Sequence, residues 1–327
     1  MKAVVYTEFG PPEVLAIREV ARPTPRAREV LIRIHATTVT SAEAAMRRGR
    51  PLWGRAIIGL FRPRKRMQTL GIELAGVIEA VGQQVTRFAP GDAVFGFAGF
   101  RVGANAEYMC LPEHGSLVCK PSNISFEQAA AAVDGATTAL FFLRDKAGIR
   151  AGQRVLVVGA SGSIGTYAVQ LARHFGAHVT GVCSTANVEL VRELGAHHVI
   201  DYLREDFCAG SEAYDVVFDT VGKSSFARCK PVLTAHGCYL PTTGLGNYAL
   251  ALWTRIRGGK RVHSGMSVDK REALAFVRSM IEADGLRVVI DRCYPLDAIA
   301  SAHRYVDTGR KRGNVVVTVR TDDVTPG

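Results

Sequence analysis

Between Arg154 and Arg173 the chain reads RVLVVGASGSIGTYAVQLAR: an apolar run, a cluster of small residues, then apolar positions at helical spacing. Within it, Ala160-Ser161-Gly162-Ser163-Ile164-Gly165 is a G-x-G-x-x-G pattern with alanine in the first place. Such spacing between a buried strand and a helix does three jobs. The first small residue allows the tight turn, the second lets backbone approach a pyrophosphate, and the third lets the helix sit close on its strand. The helix N-terminus adds backbone N–H groups and a partial positive charge facing the phosphates. The chemistry this predicts is dinucleotide binding.

Which dinucleotide depends on the residues near the end of the next strand, where an acidic side chain would grip the ribose hydroxyls of NAD. From Thr166 to Val188 the chain has no acidic residue, and the strand HVTGVC runs into Ser184-Thr185-Ala186-Asn187. Small hydroxyls leave room for a 2′-phosphate and can donate to it. NADPH is therefore the expected coenzyme, with NADH as an alternative because no Arg or Lys stands at that tip.

The elements that must position this turn are legible in outline. After Gly152 apolar strand patterns alternate with helical ones: VLVVG, HVTGVC, HVID, YDVVFD, GCYLPT and KRVHSG, with helices expected from Ser163, across NVELVRELG, around 224–233 and across DKREALAFVRSMIEADG. That alternation predicts an α/β fold with a parallel, doubly wound sheet. Residues 1–120 read instead as short β-rich runs, and Ser125 with Gln128 opens a helix through a capping-box pattern. A chain of 327 residues has room for two domains. Hydrophobic content of 47% with 22% charged residues fits a large globular core. No uncharged apolar run reaches about 18 residues, the length of a membrane span. MKAVVYTEFG lacks a signal-peptide pattern, so a soluble cytoplasmic protein is expected. Seven scattered cysteines without a C-x-x-C pair suggest free thiols rather than disulfides or a zinc site. The formal net charge is +11, and eight basic residues with no acidic one lie between Arg47 and Arg66. Such a run fits an anionic ligand, a membrane surface or nucleic acid, although a solvated surface excursion explains it too.

The segments LGIELAGVIEAVGQQVTRFAPGDAVFG (70–96), AEYMCLP (106–112), DGATTALFFL (134–143), GQRVLVVGASGSIGTYAVQLAR (152–173), YDVVFDTVGK (214–223) and the terminal GNVVVTV follow one another in a familiar order. Nearly the whole chain resembles the medium-chain dehydrogenase/reductases, in particular their zinc-independent quinone oxidoreductase and alkenal reductase branch. The resemblance implies a Rossmann doubly wound sheet inserted in a GroES-like, mostly β catalytic domain. The expected divisions are 1–123 for the first part of that domain, 124–265 for the coenzyme domain, and 266–327 for the return. It also implies a small-molecule acceptor, a quinone or an enone, and a homo-oligomer such as a dimer. Carried onto this chain, the coenzyme positions are Ala160, Ser161, Gly162, Ser163, Ile164 and Gly165 at the pyrophosphate, with Ser184 and Thr185 at the adenosine ribose. Asp219, Val221, Gly222 and Gly244 would line the cleft, and Thr138 would lie near the nicotinamide. Asn314 stands where many NADPH-binding relatives carry a lysine.

Zinc-dependent relatives take a ligand from Gly-His-Glu, whereas this chain has Gly71-Ile72-Glu73; the other two ligand positions fall on Thr40 and Asp134. Ile72 binds no metal and Thr40 binds one poorly, so no metal is expected. Thr40, Glu73 and Asp134 stay as catalytic candidates lining the cleft. The expected activity is hydride transfer from NADPH to an electron-poor acceptor. Two alternatives stand beside it: a zinc-free NAD(P)-dependent alcohol dehydrogenase, or a coenzyme-binding protein whose main partner is RNA or an anionic surface.

Overall fold

A computed structural model of the chain describes residues 1–210 and 212–320. These divide into two units, one built from Met1–Asp134, Val268–Glu282 and the chain from Val289 onward, the other from Gly135–Ser267 and Ala283–Val288.

The first unit begins with strands β1 (Lys2–Val5), β2 (Ala16–Glu19), β3 (Glu29–Thr38), β4 (Glu73–Val81), β5 (Ala93–Phe97), β6 (Tyr108–Pro112) and β7 (Leu117–Cys119). β1 and β2 form an antiparallel ribbon. β3 is the organising strand. It pairs antiparallel with β4 along its length and with β6 through Glu29–Arg33. Its sequence EVLIRIHATT is buried at nearly every position instead of alternating, as a strand covered on both faces must be. One cover is the helix Phe126–Ala131, capped by Ser125 and Gln128 as the sequence predicts, which packs on β3 and β4. That packing keeps residues up to Asp134 with the first unit, so the division falls later than 123/124.

The second unit holds β8 (Arg154–Val158), β9 (His178–Cys183), β10 (His198–Asp201), β11 (Tyr214–Asp219), β12 (Leu233–Pro241) and β13 (Arg261–Val262). All pair in parallel, in the order β10-β9-β8-β11-β12-β13. The order reverses between β8 and β11, and ligands of doubly wound sheets sit outside the carboxyl ends of the strands at that reversal. The apolar core beneath is drawn from Leu156, Val158, Val182, Val217 and Tyr239 among others. Ala283–Val288 joins this unit through Gln170, whose amide donates to the Arg287 carbonyl and accepts from its N–H.

Back in the first unit, β14 (Ile290–Pro295) and β15 (Asn314–Thr318) complete a sheet of order β14-β15-β3-β4-β5-β7. Three local expectations change. The helix around 224–233 shrinks to Phe226–Cys229 followed by a 3₁₀ turn, because Pro231 cannot continue an α-helix. KRVHSG contributes only the two residues of β13. An unanticipated helix runs over Gly246–Arg257, mostly exposed. Among the described residues no helix is long and apolar enough to cross a membrane, and all seven cysteines are free.

Candidate functional site

The turn after β8 shows why each glycine is there. Gly159 has φ +81°, and a Cβ on it would meet Val221 and Thr220 side chains at 2.6 and 2.9 Å. On Gly165 a Cβ would lie 2.1 Å from the Gly159 carbonyl oxygen, so the helix Ser163–His174 touches the turn backbone to backbone. Gly162 differs from both. Its φ of −81° suits any residue, and nothing lies closer than 3.4 Å to a Cβ built on it. The protein's own packing does not require glycine at 162; a ligand lying against the backbone would. Gly162 is also the helix N-cap and has no side chain with which to cap the first turn. Ala160 is pinned from behind by its N–H to the Val182 carbonyl at 2.9 Å. Ser161, Ser163, Ile164 and Gly165 follow around this turn as expected. The residues present fit a dinucleotide pyrophosphate.

At the end of β9, the Asn187 amide donates to both Ser161 Oγ and Ser184 Oγ at 3.1 Å, tying the turn after β8 to the turn after β9. Thr185 donates its hydroxyl hydrogen to Asp201, which leaves it only lone pairs for a ligand. Its expected role as a phosphate donor is corrected accordingly. Asp201 ends β10 and is brought there by parallel register, with Asp201 opposite Cys183. The Thr185 hydrogen bond holds its carboxyl below the usual range, and Arg204 lies 3.5 Å away. Neither Asn187 nor Asp201 was visible as a site residue, because strand pairing creates their neighbourhood.

Asp219 ends β11 and is fully buried. One of its oxygens accepts from the Val221 and Gly222 N–H groups, the other from Ser224 N–H and the Tyr239 hydroxyl. All four interactions stay inside the protein, so Asp219 shapes the loop rather than offering its carboxylate to a ligand. Gly222, at φ +68°, could not carry a side chain, since a Cβ would sit 2.2 Å from Thr243 Oγ1. Val221 is left 45% exposed, an apolar surface at the reversal point. Gly244, also at positive φ, follows β12. Thr138 is half-buried on the helix Asp134–Leu140.

The catalytic candidates of the first unit form a buried polar cluster with a different connectivity from that expected. Thr40 caps the helix Ser41–Arg47. Its hydroxyl oxygen accepts from Glu43 N–H at 3.1 Å, and Glu43 returns the bond to Thr40 N–H at 2.9 Å. Thr40 thus belongs with Glu43, which also accepts from Asn105, rather than with Glu73. Glu73 accepts from the Thr38 hydroxyl and, at 2.5 Å, from the backbone N–H of Asp134. Asp134 in turn pairs with Lys270 at 2.8 Å; the lysine is 1% exposed while the Asp134 side chain is 26% exposed. Asn314, a coenzyme candidate, instead donates both its backbone and side-chain N–H groups to the Val289 carbonyl, anchoring β15. Among the described residues no three His, Cys, Asp or Glu side chains gather as a metal ligand set. The donors at the inherited positions do not suit zinc: Ile72 has none, Thr40 caps a helix, both Glu73 oxygens are engaged, and Asp134 faces an ammonium.

Burial drives the carboxyl of Glu43 up to about 7, and burial together with the Asp134 charge drives Glu73 up to about 8. Unfolded, both ionise near 4.5. Above that pH the unfolded chain has lost protons that the folded chain keeps, so their contribution to stability is whole below about 4.5 and is lost as pH climbs to 7–8. His303, buried and driven down to about 3, acts oppositely, and its contribution is lost as pH falls from 6.5. Glu43→Gln, a side chain the capping box admits, should flatten the fall of stability between pH 5 and 8 by up to about 1.4 kcal/mol per pH unit. Urea denaturation of both proteins across that range measures it; parallel curves would refute a protonated Glu43.

Two family models match the chain: an alcohol dehydrogenase GroES-like domain over residues 26–122 and a zinc-binding dehydrogenase domain over 194–317. Among curated proteins the chain is 31% identical to 2-methylene-furan-3-one reductase of Solanum lycopersicum, covering 97% of this chain and 79% of the relative. It is 30% identical to the quinone oxidoreductase of Homo sapiens, over 94% of each. Among solved structures, the quinone oxidoreductase of Coxiella burnetii superposes with a TM-score of 0.89 at 29% identity, covering 98% of this chain and 99% of that one. The turn, the strand order and these likenesses agree: the chain belongs to the medium-chain dehydrogenase/reductase superfamily, in its quinone oxidoreductase branch, and is an NAD(P)H-dependent oxidoreductase.

Proposed function

We propose that this protein carries hydride from NADPH to an electron-poor acceptor, a quinone or the alkene carbon of an α,β-unsaturated carbonyl, with no metal ion at the reacting centre. The observation that carries the reading is Gly162, a glycine the protein's own packing leaves unexplained and a pyrophosphate explains. When bound, the reduced coenzyme supplies the hydride. Ser161 to Gly165 hold the pyrophosphate, and Val221, Gly222 and Gly244 bound its path. Thr138 serves the nicotinamide end.

The preference for NADPH rests on the ribose end. Ser161 and Ser184 keep their hydroxyl hydrogens for a ligand there, because the Asn187 amide donates to both oxygens, while the charge of Asp201 is already engaged by Thr185 and faced by Arg204. The acceptor class rests on chemistry. With a donor set unsuited to zinc, no Lewis acid is provided for the alkoxide of a simple alcohol, but an enolate or hydroquinone oxygen needs only hydrogen bonds and a proton. Asp134 is the reachable end of the Glu73–Asp134–Lys270 cluster, its side chain 26% exposed against 1% for Lys270. We assign the proton that the acceptor oxygen needs to the Lys270 ammonium, the only donor of the pair, with Asp134 orienting it. The names of the relatives fit this class, since one is a quinone oxidoreductase and another reduces an exocyclic enone.

Coenzyme absorbance provides the test. Purified protein is given NADPH or NADH with a panel of ortho- and para-quinones and 2-alkenals. The expected result is consumption of NADPH at least about tenfold faster than NADH, about 1.4 kcal/mol of discrimination. Equal rates would remove the ribose argument. Coenzyme reduction by simple alcohols, with no acceptor turnover, would remove the acceptor class in favour of an alcohol dehydrogenase.

A further inference from the structure

The basic segment from Arg47 to Arg66 lies outside the turn and the polar cluster described above, and the structure divides it into two. Arg47 is buried and, with Arg48, pairs with Asp307; Arg55 donates to the Gly49 carbonyl and lies over the Phe9 ring. These hold the segment down. Beyond them the chain makes a short helical excursion, Leu52–Gly54 and Arg55–Ile58, that puts apolar side chains into solvent: Leu52, Trp53, Ile57, Leu60 and Phe61 are 46–87% exposed. Scattered exposed apolar residues need no explanation, but five in ten residues do. Beside them Arg62, Lys65 and Arg66 are exposed, and among the described residues none has an ion-pair partner. Ile57 and Arg66 also line a groove of about 780 Å³ in the same unit, with Arg26, Phe100, Arg101 and Tyr108 on its walls. Phe100 is itself 62% exposed.

We propose that this face docks on an anionic lipid bilayer, with Leu60, Phe61 and their neighbours entering the headgroup–acyl boundary and the arginine-lined groove receiving lipid phosphates. Charge complementarity selects the occupant. A segment with clustered cations, no acidic residue of its own and protruding apolar tips matches a negatively charged, apolar-cored partner; in the groove Arg101 is held by Glu29, which leaves Arg26 and Arg66 to face it. RNA would satisfy the cations but leave Leu52, Ile57 and Leu60 in water, as aliphatic side chains neither stack on bases nor bind phosphate. A second copy of the chain would set like charges against each other. The inference stands on this surface alone and does not depend on the coenzyme or acceptor.

The test is co-sedimentation of the full chain with vesicles of phosphatidylcholine and phosphatidylglycerol at about two to one, with phosphatidylcholine vesicles, a uridine oligonucleotide and protein alone in parallel. The expected result is pelleting with the anionic vesicles only, weakening as salt rises. The variant Leu60→Ser/Phe61→Ser should lower the partition coefficient about tenfold, and Arg62→Ser/Lys65→Ser by a similar factor. All four positions are exposed, and unchanged thermal unfolding confirms that the fold survives. Three outcomes overturn the proposal: no pelleting with anionic vesicles, pelleting that neither variant weakens, or oligonucleotide binding without vesicle binding. Self-association of the protein alone that is lost in Leu60→Ser/Phe61→Ser, without vesicle binding, overturns it in favour of a second copy.

Discussion

Gly162→Val is expected to yield a stable protein that has lost its coenzyme, whereas Gly165→Ala, a smaller change three residues away, is expected to destabilise the fold itself. The two glycines look equivalent in the motif. At Gly162 the backbone angles suit any side chain, and the protein presents nothing closer than 3.4 Å to a new Cβ. Valine there fills the space a pyrophosphate must occupy. We expect coenzyme affinity to fall at least about a hundredfold, or about 2.7 kcal/mol, with little change in thermal unfolding. At Gly165 a single methyl would lie 2.1 Å from a backbone carbonyl oxygen, which no rotamer change relieves. The helix must move off β8, at a cost of about 3 kcal/mol or more. Titration calorimetry with each coenzyme and thermal denaturation of both variants separate the effects. Normal coenzyme affinity in Gly162→Val would show that the turn's glycine serves some other end.

Asp134→Asn is the second large effect. Lys270 is almost wholly buried, with its ammonium 2.8 Å from Asp134 and 4.8 Å above the Phe97 ring. Removing the negative partner deprives a buried ammonium of its carboxylate, and breaking such pairs costs about 3 kcal/mol. Replacing both members, Asp134→Asn with Lys270→Met, should recover much of that loss, because the charge needing compensation is then gone. A double-mutant cycle by chemical denaturation yields the coupling directly. Additive losses would mean that the lysine is held by other partners. The same pair tests the acceptor chemistry. If Asp134 and Lys270 serve the acceptor oxygen, the double variant should fold yet turn over acceptor far more slowly at unchanged coenzyme affinity.

What the sequence disclosed follows from how local each signal is. The turn at 159–165, the strands around it and the helix Ser163–His174 are encoded within twenty consecutive residues, where periodicity and glycine spacing are direct readouts of backbone geometry. The cap on the helix Phe126–Ala131 is as local. The same signal stands at Thr40-x-x-Glu43, on a position that also aligns with a metal ligand of the zinc-dependent relatives. Asp201 beside Thr185, and Glu73 beside Asp134, are different in kind. Parallel register makes the first neighbourhood and the packing of β3, β4 and the residues ahead of Gly135 makes the second, so no spacing along the chain announces them. The helix Gly246–Arg257 escaped because its apolar residues face solvent, leaving no buried stripe to read. Asp219 misled for the opposite reason. A carboxylate at the end of a Rossmann strand suggests a ligand contact, yet four internal donors consume it.

The position of β15 has a consequence for how the molecule is made. Val316 pairs with Thr38, so the long central strand of the first unit lacks one partner until residues 316–318 have left the ribosome. The second unit, almost continuous from Gly135 to Ser267, can close earlier. On the ribosome the order of completion is therefore inverted: residues 135–267 can mature first, while β3 waits for β15. Until then β3 presents an unsatisfied edge at Ala36–Thr38, the sort of edge that invites pairing with another nascent chain. Loss of the last strand by truncation should thus be felt at the N-terminus, as aggregation during synthesis rather than as a missing tail.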